Sequence, residues 1–225
     1  MESHGQLGLF SLNDETEGAW FKQPFLAIDV ETTGLDPANS RIIELALVPC
    51  NMPANVGVFS QLFAVNKPLP PEITQITGIS EDMLKGQPSF QEKSAEVLAT
   101  LAHAQFVVAY NAKFDRPFLE SEFARINIAL PEMMWVDPFV FICELDRFKK
   151  GKKLSDAAQR WGIKLEDAHR ALGDAQAAGE LMLKLAGKIN INKISDLINQ
   201  QKIWQWQQAH SMAEYKKSNH WSNDR

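Results

Sequence analysis

Cysteine is nearly absent: Cys50 and Cys143 are the two in 225 residues, too few and too far apart for a disulfide framework or a thiolate zinc site. Both read as small apolar side chains. Long apolar runs are missing as well. No stretch approaches the roughly 18 residues that span a bilayer, and the opening Met1-Glu2-Ser3-His4-Gly5 lacks the basic-then-apolar order of a secretory signal. The expectation is a soluble, cytoplasmic protein with no membrane partner. Nor is there an excess of positive charge, since 23 Lys and Arg stand against 28 Asp and Glu, a formal charge of −5. That disfavours a general electrostatic wrap around a polyanion, but local basic patches or bound divalent cations would still attract one. What is present is 45% apolar and 23% charged residues, enough for one cored domain with extensions and incompatible with a wholly disordered chain.

Residues 1–20 are polar and aperiodic, and read as a flexible tail. Phe25 to Val30 reads as a buried strand with an acidic exit. Ile42 to Val48 and Val56 to Val65 read as two more strands, joined by turn chemistry at Asn51 to Asn55. Pro68, Pro70 and Pro71 suggest an extended loop. Ser89 and Glu92 form a capping-box pattern for a helix to about His103. A strand at Phe106 to Tyr110, a helix from about Arg116 and a strand at Trp135 to Asp137 follow. Helices are then expected at Leu154 to Trp161, Arg170 to Leu185 and Ser195 to about Lys217. A meander followed by crossovers predicts an α/β fold, a mixed five-stranded sheet with helices on both faces. Residues 21–187 would form the domain and 188–225 a C-terminal helical extension.

Asp29 and Glu31 lie two apart at the end of the first strand, so both carboxylates project to one side. Two anions there need a cation unless one is protonated, and oxygen ligands without cysteine suit Mg²⁺ or Mn²⁺. Taken alone, such a pair reads first as a solvated acidic loop after a strand. Asp115 falls at a helix start, where a cap is an equally good reading. Asp174 lies near the start of a helix crowded with Ala171, Gly173, Ala175, Ala177, Ala178 and Gly179, which can approach the sheet closely. His169, five residues earlier, is either a surface side chain or a base titrating near neutrality.

Three segments together carry a resemblance: Phe25-Leu26-Ala27-Ile28-Asp29-Val30-Glu31-Thr32-Thr33-Gly34-Leu35, Asn111-Ala112-Lys113-Phe114-Asp115, and His169-Arg170-Ala171-Leu172-Gly173-Asp174-Ala175. In that order they resemble the motifs of the four-carboxylate, histidine-containing (DEDDh) branch of 3′-to-5′ exonucleases, and are most similar in pattern to proofreading subunits of bacterial replicative polymerases. The resemblance implies a ribonuclease-H-like fold. It also implies Asp29, Glu31, Asp115 and Asp174 as ligands of two Mg²⁺ or Mn²⁺ ions, with His169 as general base. Two such ions, roughly 4 Å apart, stabilise the attacking and leaving oxygens of phosphodiester hydrolysis and acidify a water. Thr32, Thr33 and Leu35 would lie by the terminal nucleotide, and Ile76-Thr77-Gly78-Ile79 resembles the segment that packs on its base. Asn111 and Phe114 would add substrate contacts. One departure is Tyr110, where the family often has His.

Asp146 to Lys153 concentrates five cations. The run reads either as a solvated loop or, through Lys149, Lys150, Lys152 and Lys153 with help from Lys113 and Arg116, as a salt-sensitive grip on strand phosphates. Gln6-Leu7-Gly8-Leu9-Phe10 resembles the short peptide with which bacterial polymerases and repair proteins dock on the sliding clamp; a lid or an amphipathic scrap is the alternative. Trp204 and Trp206 are expected to pack against the core, with docking on a polymerase or a second copy as the alternative role of the extension.

The function expected is removal of nucleoside 5′-monophosphates from the 3′ end of DNA, single-stranded by preference, in proofreading or repair. An RNA-trimming or oligoribonuclease-like enzyme of the same family is the alternative. A small-molecule phosphohydrolase also places acids two apart after a strand, but leaves His169 and Asp174 unexplained. A non-catalytic clamp-binding adapter leaves all five positions unexplained.

Overall fold

The computed structural model describes residues 18–165 and 168–220, the last nine through their backbone alone. Along β1 (Phe25–Thr32), Leu26, Ile28 and Val30 alternate with Ala27, Asp29 and Glu31, and this period of two decides what each sheet face receives. Leu26, Ile28 and Val30 enter a core with Phe90, Val97, Phe118 and Leu119. Ala27 packs instead with Ala46, Ala171 and Ala175. Burial of each large side chain contributes about 1.5–3 kcal/mol. The acidic residues therefore share the opposite face.

β2 (Ile42–Cys50) and β3 (Phe59–Leu62) complete the expected antiparallel meander, and β4 (Phe106–Val108) and β5 (Met134–Val136) add in parallel, giving the order β3-β2-β1-β4-β5. β1 is central. α3 (Phe90–Leu101) and α4 (Asp115–Arg125) cover the first face. α5 (Pro138–Leu145), α6 (Leu154–Arg160), α7 (Ala171–Ala186) and α8 (Ile194–His220) cover the other. Helices on both faces of a mixed sheet follow the sequence expectation. The Ser89–Glu92 capping box is present, with Ser89 N–H donating to Glu92 at 2.6 Å, a device worth about 1 kcal/mol.

Several boundaries differ. The triple-proline loop contains α1 (Pro71–Thr77), followed by α2 (Glu81–Leu84), and α5 follows β5 without a break. Both α1 and α5 begin on a proline, whose missing N–H costs nothing at the first helical position. β3 is shorter than Val56 to Val65. Trp20, assigned to the tail, is fully buried, and its indole donates to the Ile191 carbonyl at 2.8 Å. Ile189, Ile194 and Leu197 belong to the same core, so the helical extension after residue 187 packs on the domain. α8 turns Leu197, Gln201 and Trp204 inward, with Trp204 edge-on to Phe141 at 5.3 Å. Trp206, expected to pack, is 62% exposed, its ring 3.8 Å from that of His210 and tilted by 33°. Among the described residues no helix is long and apolar enough to cross a membrane.

Candidate active site

The register of β1 against β2 runs evenly to Glu31, which lies opposite Glu44, and then slips so that Thr32 meets Ile42. Such a bulge bends the strand end and re-aims the side chains beside it. Thr32 is buried, and its hydroxyl donates to the Gly34 carbonyl at 2.7 Å. Asp115, 3% exposed in the first turn of α4, accepts from the Val30 N–H at 3.2 Å. That bond ties a second carboxylate element to the strand holding Asp29 and Glu31.

α7 brings the third element. It lies close to the sheet because a methyl at Gly179 would come within 3.0 Å of the Ala27 Cβ and 2.9 Å of the Cys50 Sγ. The approach places Asp174, in the first turn of α7, above β1. His169 precedes the helix with φ of +66° and an exposed side chain, in a left-handed conformation that few non-glycine residues adopt and that is often found at functional sites. Ligand atoms of Glu31, His169 and Asp174 all lie within 4.8 Å of one another. Arg170 donates to Glu44 through Nε and Nη2, the latter at 2.7 Å, and the Ala171 N–H reaches the same carboxylate at 3.0 Å.

Burial with few compensating charges shifts these acids. Burial raises Asp29 well above the usual carboxylate range, with Asp115, Asp174, Glu31 and Glu44 adding to it. Glu31 is pushed up to about 8 by burial, then by Asp174, Glu44 and Asp115, with Arg170 drawing it down. Asp115 also reaches about 8, burial outweighing the backbone donors that lower it. Asp174 is raised by burial and eased by His169. Among the described residues its buried Oδ1 has no hydrogen-bond partner. A shared divalent cation answers all of these features: it would satisfy the orphaned oxygen, neutralise the cluster and find hard carboxylate oxygens as ligands. The donor set fits Mg²⁺ or Mn²⁺.

The other expected residues are distributed around this cluster. Thr33 pairs with the Arg41 backbone and accepts from its N–H at 2.9 Å. Arg41 in turn forks onto buried Glu122 of α4, and Arg125 donates to the carbonyls of Pro37, Ala38 and Ser40. The loop carrying Leu35, 85% exposed, is thereby fixed. Ile76 is 55% exposed at the end of α1, Thr77 is buried, and Gly78 caps the helix at φ +70°, a left-handed cap that suits glycine. Asn111 is left-handed too, at φ +69°, and Phe114 packs on Phe118 with ring centroids 4.9 Å apart. Lys149 and Lys150 are exposed and do not line the cleft of about 630 Å³ beside Asp174 and His169; Lys113, Lys152 and Lys153 do. Arg116 instead pairs with Glu120 at 2.7 Å. Gln6, Leu7, Leu9 and Phe10 lie outside the described residues.

Sequence reasoning overlooked two supporting acids. Glu44, 2% exposed, interrupts the apolar run Ile42-Ile43-Glu44-Leu45-Ala46, a signal that a buried charge has a partner. Asp137 caps α5 and accepts from the backbone N–H groups of Asn111 at 2.8 Å and Ala112 at 3.1 Å. Its place before Pro138 was the available sign.

A mixed sheet with carboxylates from β1, α4 and α7 gathered at the end of its central strand defines the nuclease class of ribonuclease-H-like proteins, and comparison with known proteins agrees. The chain matches the family model described as Exonuclease over residues 26–182 and belongs to the exonuclease family. It is 34% identical over 165 residues to the PolC-type DNA polymerase III of Halalkalibacterium halodurans, covering 72% of this chain and 11% of the polymerase. It is 33% identical over 173 residues to the 3′-5′ exonuclease DinG of Bacillus subtilis, covering 75% of this chain and 18% of that protein. The chain thus spans under a fifth of the length of these two relatives. Its fold is shared with E. coli exonuclease I, solved with a dT13 oligonucleotide, at a TM-score of 0.61 and 18% identity over 72% of this chain and 41% of that one.

Proposed function

We propose that this chain is a divalent-cation-dependent 3′-to-5′ exonuclease that releases nucleoside 5′-monophosphates from DNA, single strands by preference, and acts in the cytoplasm in proofreading or repair. The observation that supports the reading is the convergence of three elements: ligand atoms of Glu31, His169 and Asp174 within 4.8 Å of one another, Asp29 on the same face of β1 as Glu31, and Asp115 bonded to the Val30 N–H of that strand. Asp29, Glu31 and Asp174 would hold one Mg²⁺ or Mn²⁺, and Asp29 with Asp115 a second. Bound there, such ions supply positive charge against the scissile phosphate and make water a better nucleophile.

The chain's own residues do the rest. His169, exposed within 4.8 Å of Glu31 and Asp174, would take the proton of the attacking water. Its left-handed backbone and the neighbouring Arg170–Glu44 fork hold it at the rim of the pocket. Leu35 and Ile76 offer exposed apolar faces to the terminal base, with Thr32 and Thr33 shaping the loop between them and the acids. Lys149 and Lys150 would act at longer range on the same strand. Gln6, Leu7, Leu9 and Phe10 support docking on a bacterial sliding clamp, and the outer face of α8 supports a polymerase or self-association contact.

A panel of 5′-end-labelled DNA and RNA oligomers, single- and double-stranded, with Mg²⁺, Mn²⁺ or chelator and beside a small phosphatase substrate, tests the reading. Ladders shortening from the 3′ end of DNA, lost with chelator and in Asp29→Asn, are expected. Hydrolysis of the phosphatase substrate alone would overturn it, and faster trimming of RNA would replace DNA as substrate.

A further inference from the structure

The carboxylates of β1 stand between two arms of the sheet's carboxyl edge. On the β2–β3 side, Ile73 and Ile79 anchor α1 against Ile43 and Leu62, and this arm presents Ile76. On the opposite side, beyond β4 and β5, lies the cleft of about 630 Å³. Tyr110 and Phe139 line it edge-to-face at 5.7 Å, and it opens directly onto His169 and Asp174.

Cations line this cleft from two separate loops: Lys113 follows β4, and Lys152 with Lys153 precedes α6. A chain of hydrogen bonds sets the second loop. The Tyr110 hydroxyl donates to the Lys152 carbonyl, and the Lys152 ammonium donates to the Asp146 carbonyl. The Asp146 carboxylate accepts from Arg160 at 2.9 Å and from the Trp161 indole at 3.3 Å. The basic run is folded back so that Lys152 and Lys153 face the cleft while Lys149 and Lys150 do not. In a chain of net charge −5, cations on two walls of a cleft contiguous with an acidic pocket match a polyanion that crosses the cleft and ends at the acids.

We propose that this cleft carries the strand on the 5′ side of the scissile phosphate, with Lys113 and Lys153 contacting backbone phosphates and Tyr110 as the positioning residue that holds the lysine loop in place. The proposal rests on the exonuclease reading above and deepens it: the substrate is a single strand gripped upstream of its terminal nucleotide, without regard to sequence. Cations on separate loops suit a backbone passing through better than one isolated phosphate. A hydroxyl-for-hydrogen change at Tyr110 would free the loop without emptying the cleft.

The test compares binding of a labelled deoxythymidine dodecamer and dinucleotide to the full chain carrying Asp29→Asn in Mg²⁺, so that the strand stays intact, across a salt series. Adding Lys113→Gln and Lys153→Gln is expected to lower the dodecamer-over-dinucleotide preference about tenfold and to reduce the salt slope by about 1.4, two phosphate contacts on a single strand. Tyr110→Phe is expected to lower the same preference by a smaller factor, and in the unmodified chain to raise KM for the dodecamer more than it lowers kcat. Equal losses on both lengths, or an unchanged slope in the lysine variant, would overturn the cleft while the exonuclease reading stands. An unchanged length preference in Tyr110→Phe would remove Tyr110's role. An unmodified chain that neither binds nor degrades the dodecamer would overturn both readings.

Discussion

Glu44 stands directly opposite Glu31 in the β1–β2 register, and Arg170 forks onto it across the gap between β2 and α7. The pair neutralises a buried anion beside the acidic pocket and fixes the backbone next to His169. Removing the cation strands a carboxylate that is 2% exposed. Since the Arg170 side chain is itself about a third exposed, Arg170→Ala is expected to cost about 1–3 kcal/mol rather than the larger loss of a fully buried pair. Arg170→Lys keeps the charge but loses the fork, so it should fall between. Urea midpoints with unchanged m-values measure this, and an Ala variant as stable as the parent would contradict it.

The raised acids make metal-free stability depend on pH in a definite direction. Glu31 and Asp115 are pushed up to about 8, and Asp29 is raised as well. An acid with a higher folded than unfolded pKa binds its proton more tightly when folded, so its contribution is complete below the unfolded value, about 4, and is lost as pH rises through the folded one. In chelator the melting temperature should therefore decline from about pH 4.5 to about pH 8. Millimolar Mn²⁺ or Mg²⁺ should restore it, most strongly at the alkaline end, because the cation competes with protons for the same oxygens. Equal metal stabilisation at pH 5.5 and pH 8 would show that these carboxylates do not hold the ion.

Most of the sheet was legible because β1 and β2 announce themselves through β-branched apolar runs, whereas the candidate site was read only from three separated motifs taken together, since Asp29 and Glu31 alone look like a solvated acidic loop. Helices α1 and α5 were not, since a proline stops a helix in its interior and starts one at its first position, and a local reading saw only the first meaning. Glu44 and Asp137 were hidden for another reason. Their roles depend on Arg170, Asn111 and Ala112, partners 25 to 126 residues away, and no local pattern specifies such pairings. The five cations of residues 146–153 read as one patch, whereas the Tyr110 bond divides them between cleft and outer surface.

Gly179 sets the distance between α7 and β1. A methyl there would meet Ala27 at 3.0 Å and Cys50 at 2.9 Å, closer than carbon and sulfur tolerate. Both neighbours are strand side chains with little freedom to retreat, so Gly179→Ala should push the helix outward at about 1–3 kcal/mol, against a gain in helix propensity of roughly 1 kcal/mol. Asp174 rides on the same helix. The variant should therefore require more Mn²⁺ for half-maximal activity, and Cys50→Ala in the same chain should recover part of the loss. A Gly179→Ala protein with the parent's Mn²⁺ requirement would mean that the helix position is set elsewhere.

Gln201 connects α8 to the pocket through one buried amide. Its Oε1 accepts from the Asp137 N–H at 2.7 Å and its Nε2 donates to the Trp135 carbonyl at 3.0 Å, while Asp137 holds the Asn111 and Ala112 N–H groups that lead into α4 and Asp115. Gln201→Leu has similar bulk but leaves a buried donor and a buried acceptor unpaired, an expected loss of about 2–4 kcal/mol. Because the broken bonds lie behind Asp137, the loss should also be catalytic, with kcat reduced in the surviving folded fraction at saturating DNA and metal. Gln201→Glu retains the acceptor for the Asp137 N–H but turns the donor into a carboxylate facing the Trp135 carbonyl. Protonation restores that donor, so the Glu variant should regain stability and activity relative to the parent as pH falls toward 5, and the Leu variant should not. If both variants lose stability equally at every pH while kcat stays at the parent's value, α8 merely covers the core and has no part in placing Asp115.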